Sequence, residues 1–224
     1  MLELQALAKN FRAPPFPGSY FLSFEGIEGS GKSTQILKLK NYLEEQKFRV
    51  IVLREPGGTV FGERLRKAIL DSKNDVHPMA EALLFTSARV QLLHEVVLSE
   101  LNTPGTIVIL DRYFDSTLAY QGEARGLGPM TVMELHNCYP LNLLPHKTFY
   151  LKIDLETSLE RQKMRNQEKD YFESKDNEFH KKLIDGYECA AKIFPERIVT
   201  IEGKRDTEDV FEDIKKTFLQ LTIQ

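Results

Sequence analysis

Eight residues constrain this chain more than any other stretch: Gly26, Ile27, Glu28, Gly29, Ser30, Gly31, Lys32 and Ser33. They match G-x-x-x-x-G-K-[ST], with the apolar run Tyr20 to Phe24 before them and a helix-like stretch, Thr34 to Glu45, after them. Strand, glycine loop and helix in that order build an anion cradle. Glycines let backbone N–H groups converge on phosphate oxygens, Lys32 can reach β- and γ-phosphates, the Ser33 hydroxyl can ligate Mg²⁺, and the helix N-terminus adds positive potential. Gly26 through Thr34 therefore form the expected binding segment for a nucleoside triphosphate. The loop by itself leaves the reaction open.

The rest of the chain alternates short β-rich apolar runs with longer helical patterns. The expected strands are Tyr20–Phe24, Arg49–Leu53, Thr106–Leu110, Thr148–Ile153 and Ile198–Ile201. Such alternation predicts an α/β fold, a parallel sheet with helices on both faces and the ligand at the C-terminal strand ends. At 224 residues, with no long polar linker, residues 19–224 read as a single domain. Residues 1–18 end in APPFPG, whose prolines oppose helix and central strand, and read as a tether.

Composition narrows the ligand. The chain is 42% apolar and 28% charged with a formal charge of −3, so no basic excess points to a nucleic-acid surface. Cys138 and Cys189 are far apart and the five histidines lack ligand spacing, so reduced packing cysteines are expected rather than a metal centre. With no apolar run of membrane-spanning length and no secretory h-region, a cytoplasmic protein is expected.

Two further sites carry chemistry. The strand Thr106–Leu110 ends in Asp111 and Arg112. A carboxylate at a strand end beside a phosphate loop suits Mg²⁺, and a guanidinium there can hold a second phosphate; the bland alternative is a structural Asp–Arg network. The stretch Pro78–Leu101 reads as one helix, with Phe85 and Arg89 four apart on a shared face. That face could stack and hydrogen-bond a flat base, or could hold a core phenylalanine and a surface arginine.

Four motifs in order, GIEGSGKS, REPGGT (Arg54–Thr59), LFTSARVQLL (Leu84–Leu93) and DRYFDSTLAYQG (Asp111–Gly122), closely resemble the thymidylate kinase family, from about Tyr20 to the C-terminus. The resemblance implies a P-loop NTPase fold with a five-stranded parallel sheet and a short lid at about 161–173. It also implies phosphoryl transfer from ATP to dTMP with Mg²⁺, in dTTP synthesis, by a cytoplasmic homodimer. By motif position, Phe85 would stack on thymine, Arg89 would bond its carbonyl, and Thr117 and Gln121 would complete the base contacts. Arg66 and Arg112 would hold the dTMP phosphate, Glu28 would approach the sugar 3′-hydroxyl, and Tyr120 would fill the place of a ribose 2′-hydroxyl. Ser33 and Asp111 would support the metal.

In one branch of the family an arginine follows the loop acid, whereas here Gly29 follows Glu28. The bacterial-type branch supplies that charge from the lid, and Arg161, Lys163, Arg165 and Lys169 form a basic stretch there, with Glu160 and Glu168 interspersed as on a solvated helix face. The lid also departs from relatives, since Asp170-Tyr171-Phe172-Glu173 has no arginine after the aspartate. The expected catalytic groups are thus Lys32, Arg112 and a lid arginine, Arg165 first and Arg161 second. A GTPase would need N-K-x-D and an ABC-type subunit LSGGQ, both absent. A kinase for another monophosphate and a non-catalytic nucleotide-binding homologue remain as alternatives.

Overall fold

A computed structural model describes residues 1–72, 75–165 and 171–222, without the side chain of Arg165. In chain order the elements are α1 (Leu2–Ala8), β1 (Tyr20–Glu25), α2 (Lys32–Glu45), β2 (Arg49–Arg54), α3 (Val60–Leu70) and α4 (Pro78–Leu92). There follow α5 (Leu98–Leu101), β3 (Thr106–Asp111), α6 (Phe114–Thr117), α7 (Pro129–His136) and β4 (Lys147–Lys152), then α8 (Leu155–Arg165), α9 (Asn177–Ile193), β5 (Ile198–Glu202) and α10 (Thr207–Thr222).

The five strands form one parallel sheet in the order β2-β3-β1-β4-β5. Its inner strands, β3, β1 and β4, are buried on both faces, as a sheet covered on both sides requires. Phe21, Val108 and Leu110 pack into one core with α4, α7 and α9, while Leu22, Phe24, Ile107 and Ile109 pack into a second with α2 and α10. Register then decides where the chemistry gathers. Phe24 and Arg54 both stand opposite Asp111, so β1, β2 and β3 end at one level, where the glycine loop leaves β1.

Two expectations need correction. Residues 1–18 are not a free tether: α1 buries Leu4, Phe11 is buried between Phe114 and Phe194, and Arg12 bridges to Leu143. A seven-residue helix is too short to stand by itself, so its stability comes from this packing rather than from local sequence. The stretch Pro78–Leu101 is helical throughout but not uniformly α, because Leu93–Val97 forms a π-helical segment between α4 and α5. A second π-helical segment, Leu118–Ala124, follows α6 and carries Tyr120 and Gln121.

Candidate active site

The loop wraps as its glycines permit. Gly26 and Gly29 have φ of +137° and +79°, and a Cβ on Gly26 would stand 2.6 Å from the Leu151 carbonyl oxygen. Gly31 caps α2, whose first residue, Lys32, donates to the carbonyls of Gly26 (2.9 Å) and Ile27 (3.3 Å). Burial and the nearby Arg112 lower the Lys32 pKa to about 8, against partial support from Asp111, Glu28 and Glu25.

Concavities open on both sides of this loop. On one side Gly29, Ser30, Gly31 and Thr34 line a space with Arg161, Gly203 and Arg205. Ser33 and Asp111 share a neighbouring hollow, and one carboxylate oxygen of Asp111, Oδ1, is buried without a hydrogen-bond partner among the described residues.

On the other side lies a cavity of about 570 Å³, mouth included. Glu28, Arg66, Phe85, Arg89, Arg112, Thr117, Tyr120 and Gln121 all line it, so every residue named above for the acceptor meets here. Arg112 stands at φ +70° just beyond β3. From there its Nη2 donates to Glu28 Oε1 (2.5 Å), and its Nη1 to the Gly26 carbonyl (3.0 Å) and the Tyr187 hydroxyl (2.7 Å). Tyr120 donates to the same Glu28 oxygen at 2.7 Å. Burial opposes the charge on Glu28, but Arg112, Lys32 and the Tyr120 bond outweigh it and hold its pKa below the usual carboxylate range. Arg66 reaches the cavity from α3, whose first turn Thr59 caps by accepting from Gly62 N–H at 2.9 Å.

Another wall of the cavity is built on α4. Arg89 is buried and paired with Glu55 through Nε (2.7 Å) and Nη2 (2.6 Å), while its Nη1 meets His136 Nε2 at 2.8 Å. Burial and Arg89 push the His136 pKa down to about 3, so the ring is neutral. Its Nδ1 then donates to the Val132 carbonyl (2.8 Å) and its Nε2 accepts from Arg89. Burial works against the Arg89 charge too, yet Glu55 more than offsets it and its pKa lies above the ordinary arginine value. Gln121 donates from Nε2 to Glu81 Oε1 at 2.7 Å.

Sequence reasoning assigned no role to Glu55, Glu81, His136, Tyr113 or Phe172. Glu55 lay within REPGGT, and Glu81 precedes Phe85 by the same four residues that separate Phe85 from Arg89, so a longer reading of that helix face would have found it. His136 comes from α7, with no local signal. Phe172, which stands where relatives carry an arginine-bearing motif, lines the cavity with its ring 6.2 Å from Phe85 and 5.3 Å from Tyr120. Lys169 and Asp170 lie outside the described residues, as does the Arg165 side chain; Arg165 ends α8.

A phosphate loop at the end of the central strand, between a donor-side hollow and a cavity lined by arginines and an aromatic ring, defines a P-loop nucleotide kinase. The Thymidylate kinase family model matches residues 24–214. A thymidylate kinase of Thermoanaerobacter sp. (strain X514) is 43% identical over 194 residues, covering 87% of this chain and 94% of its own. That of Acholeplasma laidlawii is 40% identical over 202 residues, covering 89% and 98%. The crystal structure of thymidylate kinase from Ehrlichia chaffeensis superposes with a TM-score of 0.71 at 30% identity, covering 91% of this chain and 99% of that one. The chain belongs to the thymidylate kinase family.

Proposed function

We propose that the chain transfers the γ-phosphoryl group of ATP to dTMP, giving ADP and dTDP, in the supply of dTTP for DNA synthesis. The observation that carries this reading is the single cavity shared by Phe85, Arg89, Thr117, Gln121, Glu28, Arg66, Arg112 and Tyr120 against the phosphate loop. Family membership supports it as well.

The acceptor oxygen of a nucleoside monophosphate is already ionised at neutral pH, so no strong general base is needed and the residues act by position and charge. Phe85 stacks on thymine while Arg89, Thr117 and Gln121 meet its polar edge. Arg66 and Arg112 hold the dTMP phosphate, Glu28 meets the 3′-hydroxyl, and Tyr120 occupies the space a 2′-hydroxyl would need. Gly26 to Thr34 cradle ATP, and Lys32 follows the phosphoryl group as it moves. A lid arginine, Arg165 or else Arg161, neutralises charge that develops in the transition state.

Ser33 and Asp111 would hold Mg²⁺. Both supply oxygen, the donor a hard cation prefers, and Asp111 Oδ1, without a hydrogen-bond partner among the described residues, fits that use. When bound, the ion neutralises charge on the phosphates. A step of nucleotide supply belongs in the cytoplasm, and among the described residues no helix is long and apolar enough to cross a membrane. The working unit is a homodimer, and the exposed Leu83 and Val90, seven apart on α4, are apolar surface available to it.

A coupled ADP-release assay over dTMP, dUMP, CMP, UMP, GMP and AMP tests the proposal. Turnover should be greatest with dTMP; none with dTMP overturns the reading. Light scattering on a size-exclusion column should give twice the 25.8 kDa chain mass.

A further inference from the structure

Glu81 is wholly buried on α4, and its carboxylate points at the site rather than at water. Its Oε1 accepts from Gln121 Nε2 at 2.7 Å, and its Oε2 faces Arg125 Nε at 3.6 Å. A carboxylate offers only acceptors, so the primary amide of Gln121 can satisfy it in one orientation: nitrogen towards Glu81, carbonyl Oε1 away from it. Burial raises the Glu81 pKa; against it, the acceptor-only carboxylate is favoured by the Gln121 bond and by Arg125. Arg125 is itself held from the far side, where Nη1 pairs with Asp75 at 3.0 Å and Nη2 donates to the Val76 carbonyl. Because Gln121 lines the cavity, the acceptor Oε1 is the end of the amide left for a base.

We infer that Glu81 is a specificity-determining positioning residue: by fixing the Gln121 amide, it makes the pocket accept a pyrimidine whose ring N3 carries hydrogen and reject one whose N3 is a lone pair. Thymine and uracil present N3–H, and cytosine presents a bare N3. Facing Gln121 Oε1, cytosine would set two acceptors against each other with no water to relieve them. Buried polar mismatch of this kind discriminates far more strongly than a lost apolar contact. Were the amide free to turn, its N–H₂ would serve cytosine as well as its C=O serves thymine. The inference rests on the base-binding reading of this cavity and adds the residue that sets its polarity.

The test measures kcat/KM for dTMP and dCMP, and KM for ATP, in the wild type, Glu81→Gln and Gln121→Met. A glutamine at 81 can donate or accept, so the amide orientation is released. The ratio of dTMP to dCMP should fall at least tenfold in E81Q, through a higher KM for dTMP and a gain with dCMP, while KM for ATP holds. A loss of activity on both nucleotides with the ratio kept would mark Glu81 as a purely structural residue and overturn the inference. Q121M separates the two layers. If its ratio is unchanged, Gln121 does not read the base and the underlying reading fails; if its ratio falls while that of E81Q does not, only the role of Glu81 fails. Should E81Q not fold, ¹⁵N NMR of the wild type decides. The Gln121 side-chain NH₂ should be solvent-protected and resolved before dTMP is added, and an averaged, fast-exchanging pair would overturn the inference.

Discussion

Arg161 donates to the carbonyl of Gly29 at 3.0 Å, and a Cβ added to Gly29 would stand 3.2 Å from the Cβ of Arg161. The second guanidinium nitrogen of Arg161 reaches the Gly203 carbonyl at 3.1 Å. So the absence of a side chain after Glu28 is what lets α8 lay an arginine along the loop. A side chain at 29 would meet both that arginine and the left-handed φ of +79°.

This separates the two α8 arginines, Arg161 and Arg165. Arg161→Ala should loosen the loop, weakening ATP binding and slowing single-turnover chemistry by roughly tenfold to a hundredfold, the scale of lost positioning. Arg165→Ala should slow chemistry by about 10³–10⁵, the scale of a transition-state arginine. Rapid-quench measurement of both variants decides. Wild-type chemistry in Arg165→Ala would pass the role to Arg161.

Lys32 gives the site a pH dependence. In the free protein its pKa is lowered to about 8, whereas the phosphates of ATP bound as proposed would hold it as ammonium. Between about 8 and the ordinary lysine value, binding ATP therefore takes up a proton. ATP affinity should fall by up to tenfold per pH unit above about 8, and be level below it. The free protein should behave oppositely in that window. The unfolded chain binds the extra proton there, so this one group makes folding more favourable as pH rises. Titration of ATP from pH 7 to 9.5 should show the break, and Lys32→Met should bind weakly with no break.

Asp111 should separate metal support from folding. Its Oδ1 is a buried acceptor without a hydrogen-bond partner among the described residues, so Asp111→Asn breaks no bond at that oxygen, while it removes a charge that favours the charged forms of Lys32 and Arg112. The variant should need at least tenfold more Mg²⁺ for half-maximal turnover while its melting temperature changes little. A fall in melting temperature with normal Mg²⁺ dependence would make Asp111 structural. Chelation with EDTA should abolish turnover in the wild type.

The sheet was legible because burial wrote it plainly. TIVIL must be a strand buried on both faces, and each of the five expected strands lies within a residue of its observed ends. On α4 the four-residue spacing put Phe85 and Arg89 on one face, but only the resemblance of the four motifs turned that face towards a ligand. What escaped depends on partners remote in sequence: Phe11 meets Phe114 and Phe194, and Arg89 meets Glu55 and His136. The prolines at 14, 15 and 17 describe only their own backbone, not the helix that packs before them. Phe11→Ala should consequently cost about 3 kcal/mol, a fall of roughly 6–12 °C in melting temperature for a domain of this size. A shift under about 2 °C by calorimetry would restore the tether.

The sugar contact proposed for Tyr120 divides into two separable parts. The ring sits 5.2 Å from the Arg112 guanidinium carbon and 5.3 Å from Phe172, so it is a fixed wall of the cavity. The hydroxyl holds Glu28 at 2.7 Å. Tyr120→Phe keeps the wall and releases one bond on Glu28, whereas Tyr120→Ala removes both. If the wall excludes a 2′-hydroxyl, the preference for dUMP over UMP in kcat/KM should survive in Tyr120→Phe and fall at least tenfold in Tyr120→Ala. If the bond to Glu28 matters only for orienting the 3′-hydroxyl, Tyr120→Phe should raise KM for dTMP severalfold, on the scale of one lost charge-assisted hydrogen bond. Equal loss of sugar preference in both variants would place discrimination in Glu28 instead of the ring.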